Sequence, residues 1–429
     1  MKLTIDKMVY GGDALAHLPP DDSGRGKTAF VPFVLPGEEI EASLAEEKPG
    51  FVRVKAENIL TASPERVEAP CPYFLRCGGC HYQHTSYENQ LAIKSQVLRE
   101  TLQRTAKIEW KQDIQTLPSQ PWNYRNRTRM KTQHAPFALG YYRFNSHELL
   151  PVEECPISSP LINKAIAAVW KQGRAGTLDN SIAEIEFFAN ATDEELLLEI
   201  YLAAKGNDAL LEKSAAQFFK SLKTELPELA GVAAFFHGPA AQSFGYEGVD
   251  SLQYETNVAK FRVSADSFFQ VNRFLIDDLV NTAIAGATGA LAWDLYAGVG
   301  LFSAALAKTF ERVIAVEAGV ASADDLKHNA PRNVKPIQST TESFLNPKGK
   351  RPKPNFILVD PPRSGLGTKV AKQLATTEAR HISYVSCDPA TLARDLRVLL
   401  DAGYKIEHLH LADLFPQTFH IESIVRLAR

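Results

Sequence analysis

Hydrophobic and polar positions along the chain fall into two regimes. Up to about residue 260, short runs with a two-residue period dominate, broken by a few helical patterns. From about residue 262, strand-like and helix-like runs alternate, the pattern of a doubly wound parallel sheet. In the first regime, Thr28-Ala29-Phe30-Val31-Pro32-Phe33 predicts a strand ended by Leu35-Pro36-Gly37-Glu38. Gly11-Gly12 predicts a turn, and residues 19–24 a longer loop. Residues 85–107 have helical spacing and read as a surface helix. Residues 122–131 and 139–144 read as paired strands. Helices over 161–170 and 208–222 then mix with strands over 183–188, 195–202 and 231–236. In the second regime strands are predicted at 291–295, 312–317, 355–359, 381–385 and 420–426, with helices at 301–308 and 391–396. No repeat or low-complexity segment stands out.

With 429 residues the chain exceeds one ordinary domain, so two or three are expected. The boundaries read as 1–62, 63–260 and 261–429: a small OB-like β-barrel, a central α+β unit, and a Rossmann-like α/β unit. Several short strands in the first ~60 residues fit a barrel of the OB type, a common nucleic-acid scaffold. The order Val31-Pro32 then Leu35-Pro36-Gly37-Glu38 also resembles the TRAM domain attached to RNA-modifying enzymes. Glu38, Glu39, Glu41, Glu46 and Glu47 make this module locally acidic, so it holds RNA weakly or only packs. The formal net charge of −3 neither requires nor excludes a nucleic-acid partner. No apolar run approaches the ~20 residues needed to span a membrane, and the N-terminus lacks the apolar core of a secretory signal. A cytoplasmic monomer is expected.

Five cysteines carry much of the candidate chemistry. Cys387, in Ser386-Cys387-Asp388-Pro389, falls where a strand ends and a helix begins, with Asp388 as N-cap and Pro389 at the first helical position. Free N–H groups and the helix dipole there favour a thiolate, hence a nucleophile. A small buried hydrophobe is the plain alternative. Cys71, Cys77 and Cys80 form a C-x₅-C-x₂-C run, and Cys155, followed by Pro156, is the next cysteine. Three clustered thiols plus a distant one suit a cuboidal iron–sulfur cluster. Zinc, helped by His81 or His84, is the alternative, and disulfides are a third. Between these cysteines lies the most basic run, 122–131. On a strand, Arg125, Arg127, Arg129 and Lys131 would share one face, suited to an RNA backbone or merely solvated.

In the second regime, Asp294-Leu295-Tyr296-Ala297-Gly298-Val299-Gly300 follows the first strand, and Glu317 ends the second. Glycines at the first crossover admit a ligand to the backbone, and an acid ending strand two accepts ribose hydroxyls. The third glycine of a dinucleotide fingerprint is replaced by Ser303, which favours S-adenosylmethionine over a dinucleotide. Asp360-Pro361-Pro362-Arg363 sits at the carboxyl end of a later strand, with Asp360 held rigid by the prolines. Glu422, in the apolar last strand, needs a partner or a task, and is placed in the cleft of Cys387.

These motifs, with Ser267-Phe268-Phe269-Gln270-Val271-Asn272 and His420-Ile421-Glu422-Ser423, resemble the RNA uracil carbon-5 methyltransferase family in its iron–sulfur-containing branch. The resemblance spans nearly the whole chain. It implies Cys387 as nucleophile, Glu422 as the base that removes a proton, and Gln270, Tyr296, Gly298, Glu317 and Asp360 as contacts to S-adenosylmethionine. It also implies a 4Fe–4S cluster on Cys71, Cys77, Cys80 and Cys155, and an RNA substrate, 23S rRNA before tRNA. Leu301 departs from the pattern of some relatives, and Asn329 and Glu342 carry no assigned role. The rival readings are an iron–sulfur oxidoreductase with a Rossmann domain and an RNA-binding protein without catalysis.

Overall fold

The computed structural model describes residues 1–19, 26–203, 206–238, 244–346 and 352–429; most of the loop expected at 19–24 lies outside them. Three large sheets and one two-stranded sheet, Ser251–Glu255 with Lys260–Ser264, organise the described residues. The first has six strands in the order Lys2–Thr4, Glu39–Lys48, Phe51–Thr61, Thr28–Pro32, Asp13–His17, Lys7–Met8. Its two end strands are separated only by Ile5 and Asp6, whose N–H groups donate to Glu38 and Leu15. The sheet therefore curls back on itself in a barrel-like way. Alternation does the sorting: in Thr28–Pro32, Ala29 and Val31 are fully buried while Thr28 and Phe30 face outward. Glu38 departs from the expected acidic surface. It is fully buried, accepting from Arg66 and from the N–H groups of Leu35 and Ser63. Glu39, Glu46 and Glu47 each pair with a lysine, which blunts the module's acidity.

The second sheet has seven strands, in the order Leu149–Pro151, Phe137–Tyr142, Arg127–His134, Ile182–Ala189, Leu196–Leu202, Leu229–Phe236, Gly245–Gly248. Helices Pro160–Arg174 and Asp208–Lys223 cover one face over a core that includes Ile185, Phe187, Leu198 and Ile200. Ser159 and Asn207 cap them through side-chain oxygens, and Pro160 begins the first, where no N–H is missed.

The third sheet has eight strands: Val334–Gln338, Phe310–Glu317, Gly289–Leu295, Phe356–Val359, His381–Ser386, Glu422–Ala428, Lys405–Ala412, Gln115–Leu117. Numbering its strands along the chain from Gly289, the order is 3-2-1-4-5-7-6. The first five positions run parallel and strand 7 runs antiparallel. Leu291, Trp293 and Leu295 belong to the core on one face and Ala292 to the core on the other. Helices on both faces account for the near-continuous apolar strands.

Two elements correct the expected boundaries. Gln115–Leu117, inside the 63–260 interval, pairs with Lys405–Ala412 as the edge of the third sheet. Helix Tyr87–Ala106 is no surface helix: Ile93, Val97, Leu98 and Leu102 join the core under the third sheet. Lys94 is 1 % exposed and donates to Asp413 Oδ1 at 2.6 Å and to Phe415 O at 2.9 Å. The charged positions that suggested a solvent face include one sealed ion pair.

Candidate active site at the carboxyl edge of the third sheet

Strand His381–Ser386 runs antiparallel to Glu422–Ala428, with Ser386 opposite Ser423. One step beyond that pair the register sets Cys387 beside Glu422, and the carboxylate adds to the burial that perturbs the thiol. Asp388 caps helix Pro389–Asp401 as expected: Oδ1 accepts from Ala390 N at 3.0 Å and Thr391 N at 2.8 Å. The expected thiolate is not what this environment favours. Burial, then Glu422 and Asp360, push the Cys387 thiol up to about 12, with Arg363 acting in the opposite sense. Desolvation and two carboxyl groups outweigh the single helix end.

Glu422 is buried, and burial followed by Asp360 raises its carboxyl well above the ordinary range. Asp360 is raised to about 7 by burial and by Asp294. Gln270 Nε2 donates to Asp360 Oδ2 at 3.4 Å, while its backbone carbonyl accepts from Asn126 Nδ2 at 3.0 Å. Two of the residues expected to hold the cofactor are therefore in contact. Ser303, which stands where a dinucleotide fingerprint would have glycine, donates to the fully buried Asp294.

The crossover after strand Gly289–Leu295 is backbone-strained. Tyr296 has φ 64°, unusual for a bulky residue, and Gly298 and Gly300 have φ 54° and 98°. A Cβ on Gly300 would approach Leu326 Cδ1 to 2.9 Å, whereas one on Gly298 would meet nothing within 4 Å. Gly298 thus faces open space of the kind a ligand fills. Glu317 secures this crossover: Oε2 accepts from Gly298 N at 2.9 Å, and Oε1 from Ala318 N and Gly319 N at 2.7 Å each. Oε2 keeps acceptor capacity free for a hydroxyl. The Tyr296 hydroxyl is engaged with Thr341. Asn329 ties Arg262 to Val299, and Glu342 pairs with Lys369, which gives both unassigned residues structural partners.

The four remaining cysteines converge. Cys71, Cys77, Cys80 and Cys155 line one cavity of about 520 Å³ with Tyr73, Phe74, Tyr141 and Ile157. All four are free thiols, which removes the disulfide reading. His81 and His84 do not line that cavity; His81 packs on Phe419 and His84 stacks on Phe74. Among the described residues, no three His, Cys, Asp or Glu side chains form a group that could hold a metal, so neither the zinc nor the iron–sulfur expectation gains support from this arrangement.

The basic stripe is not a free cationic face. Arg127 is buried between Glu186 and Glu199, Arg129 pairs with Glu186, and Lys131 with Glu184. Arg125 is half-buried and lines the cysteine cavity. Strand neighbours Ile182–Ala189 and Leu196–Leu202 supply acids that pair with Arg127, Arg129 and Lys131, while Arg129 itself stays exposed. Sequence reading also passed over Tyr10, whose hydroxyl donates to Asp388 Oδ2, and Arg363 and His420, which stand 3.5 Å apart. Arg363 and His420 lie inside quoted motifs, so that signal existed; Tyr10 had none.

Comparison with known proteins gives three findings. A family model described as tRNA (Uracil-5-)-methyltransferase matches residues 86–429, leaving out the barrel and Cys71, Cys77 and Cys80. The chain is 33% identical over 436 residues to an uncharacterized RNA methyltransferase of Aquifex aeolicus, covering 100% of this chain and 98% of the relative. It is 33% identical over 448 residues to another from Streptomyces avermitilis, covering 99% and 97%. Its fold resembles, with TM-score 0.75 and 21% identity over 99% of both chains, a Pyrococcus abyssi tRNA (uracil-54, C5)-methyltransferase in complex with S-adenosyl-L-homocysteine. Nothing in these matches supports the oxidoreductase alternative.

Proposed function

The chain belongs to the tRNA (uracil-5-)-methyltransferase family, and from that premise we propose that it methylates carbon 5 of a uridine in RNA through Cys387 and Glu422. The observation that carries this reading is the antiparallel register, Ser386 opposite Ser423, which leaves Cys387 and Glu422 at adjoining strand ends where each feels the other or Asp360. S-adenosylmethionine, when bound, supplies the methyl group as an electrophilic sulfonium. Gln270, Gly298, Glu317 and Asp360 would hold it, with Tyr296 shaping the crossover.

Carbon 5 of uracil is a weak nucleophile until sulfur adds to carbon 6. Cys387 gives up its proton to solvent and attacks carbon 6, and the electrons of the 5,6 double bond move onto the carbonyl as an enolate. Arg363 is the neighbour that favours ionised sulfur against the effect of burial. Carbon 5 then takes the methyl group. Ionised Glu422 removes the carbon-5 proton, the double bond reforms, and the sulfur leaves. A carboxylate destabilised by burial is a stronger base than one in water. Because the base Glu422 is buried, the target uridine must be flipped out or lie in a loop.

Cys71, Cys77, Cys80 and Cys155 would hold a 4Fe–4S cluster, tying the 71–80 loop to the second sheet; no redox step is required of it. Anaerobic protein should be brown with iron and sulfide, and Cys155→Ser should lose both. Stoichiometric zinc without iron would refute the cluster. On the strength of the resemblance to the cluster-bearing branch, the RNA is large-subunit rRNA. A tRNA substrate is the second reading, favoured by the family description and by the Pyrococcus neighbour. Labelled methyl transfer to 23S rRNA and to tRNA transcripts decides between them, and transfer to neither removes the proposal.

A further inference from the structure

The turn Tyr10-Gly11-Gly12 leaves the first barrel and enters the loop that carries the nucleophile. Tyr10 lies edge-on to Phe419, with ring centroids 5.6 Å apart, and its hydroxyl donates to Asp388 Oδ2 at 3.1 Å. His81 meets Phe419 from another side at 4.6 Å. Gly11 and Gly12 have φ 110° and 92°, and a Cβ on Gly12 would come within 2.9 Å of His81 Cδ2. The turn is therefore shaped to press close against this socket.

Asp388 needs only one oxygen to cap its helix, and Oδ1 does that. Its second oxygen is held by a donor 378 positions away in sequence. Pinned at both oxygens, the side chain cannot rotate, and the peptide joining it to Cys387 is fixed with it. Burial and then Asp388 keep the Tyr10 hydroxyl protonated, hence a donor, throughout the working pH range.

We propose that Tyr10 is a positioning residue for Cys387: its bond to Asp388 Oδ2 holds the nucleophile's loop, so that correct seating of the N-terminal barrel governs how fast the covalent adduct forms. This rests on the reading of Cys387 as the nucleophile. Small displacements of a reacting atom cost rate out of proportion to binding.

The test uses 5-fluorouridine-substituted 23S rRNA and tRNA transcripts, on which methylated adducts persist because fluorine cannot leave as a cation. Single-turnover adduct formation is followed on denaturing gels. Tyr10→Phe keeps the ring on Phe419 and removes only the hydroxyl bond. The expected result is adduct formation slowed about ten-fold, with RNA and S-adenosylmethionine affinities within about two-fold of wild type. Gly12→Ala, which displaces the turn from His81, should give the same pattern. An adduct rate within about two-fold of wild type for Tyr10→Phe overturns the proposal, as does a slower rate that merely tracks lost RNA binding. Should wild type form no adduct with either transcript, the nucleophile reading itself falls, a result distinct from a silent Tyr10→Phe.

Discussion

Three carboxyl side chains in the second sheet and three at the carboxyl edge of the third are treated in opposite ways. In the second, Glu184, Glu186 and Glu199 face Arg127, Arg129 and Lys131 across neighbouring strands. Burial acts to raise Glu184 and Glu186, but the facing cations hold both below the ordinary range. Glu199, the most enclosed, stays raised because burial outweighs Arg127. In the third, Asp294, Asp360 and Glu422 form no ion pair among the described residues, and burial leaves all three raised. Ionising an unpaired buried acid is costly, and a fold keeps such a group only where something else balances it. The paired network is a matter of stability. On the proposed function, the unpaired set would serve a ligand that brings positive charge and a proton that must move.

The sharpest way to break this contrast is to remove the reacting groups. Cys387→Ala should abolish both methyl transfer and covalent attachment, because carbon 5 is never activated. Glu422→Gln should still add sulfur and accept the methyl group, then stall as a methylated RNA–protein adduct visible as a slow band on denaturing gels. Normal turnover by Glu422→Gln would move the base elsewhere, with Asp360 next in line.

Arg127→Ala should act on the other side of the comparison. It leaves Glu199 buried without its cationic partner and Glu186 with Arg129 alone, and one-sided removal of a buried pair costs about 3–5 kcal/mol. Denaturant unfolding should show that loss, while the salt dependence of RNA binding by the folded fraction stays unchanged. A reduced salt slope at unchanged stability would return Arg127 to the RNA-contacting role that the alternation of its strand suggested.

Glu317→Ala should weaken S-adenosylmethionine binding by about 1–3 kcal/mol, the scale of lost charge-assisted hydrogen bonds. It also frees the N–H groups of Gly298, Ala318 and Gly319. Calorimetry showing unchanged affinity would exclude Glu317 from the cofactor site. RNA affinity should barely move.

The smallest expected effect is a pH dependence. Asp360 is raised from 3.8 to about 7, so its ionised form, the one a sulfonium favours, is depleted as pH falls through 7. S-adenosylmethionine affinity should therefore fall by up to about ten-fold for each pH unit below 7. S-adenosylhomocysteine, which lacks the positive sulfur, should show little of this trend, and Asp360→Asn should flatten it. Equal slopes for the two ligands would remove Asp360 from the sulfonium's surroundings. In the free protein the sign is reversed. The raised carboxyl contributes stability that is complete below about 4 and lost as pH rises through 7, so Asp360→Asn should be more stable than wild type at pH 8.

Local pattern alone determined much of this protein. The alternation of strands and helices after residue 262, the cap and proline that begin helix Pro389–Asp401, and the run of motifs at strand ends all follow from neighbours within a few positions. Such features depend on backbone geometry and side-chain period, which a short stretch carries in full. The tertiary structure decided which charges are free. Arg127 looks like a phosphate contact until Glu186 and Glu199 arrive from strands 59 and 72 positions away. Cys387 looks like a thiolate until Glu422 and Asp360 close over it. Helix Tyr87–Ala106 looks solvated until Asp413 receives Lys94. In each case the deciding quantity is desolvation together with a partner far along the chain, and neither is a property of the local sequence.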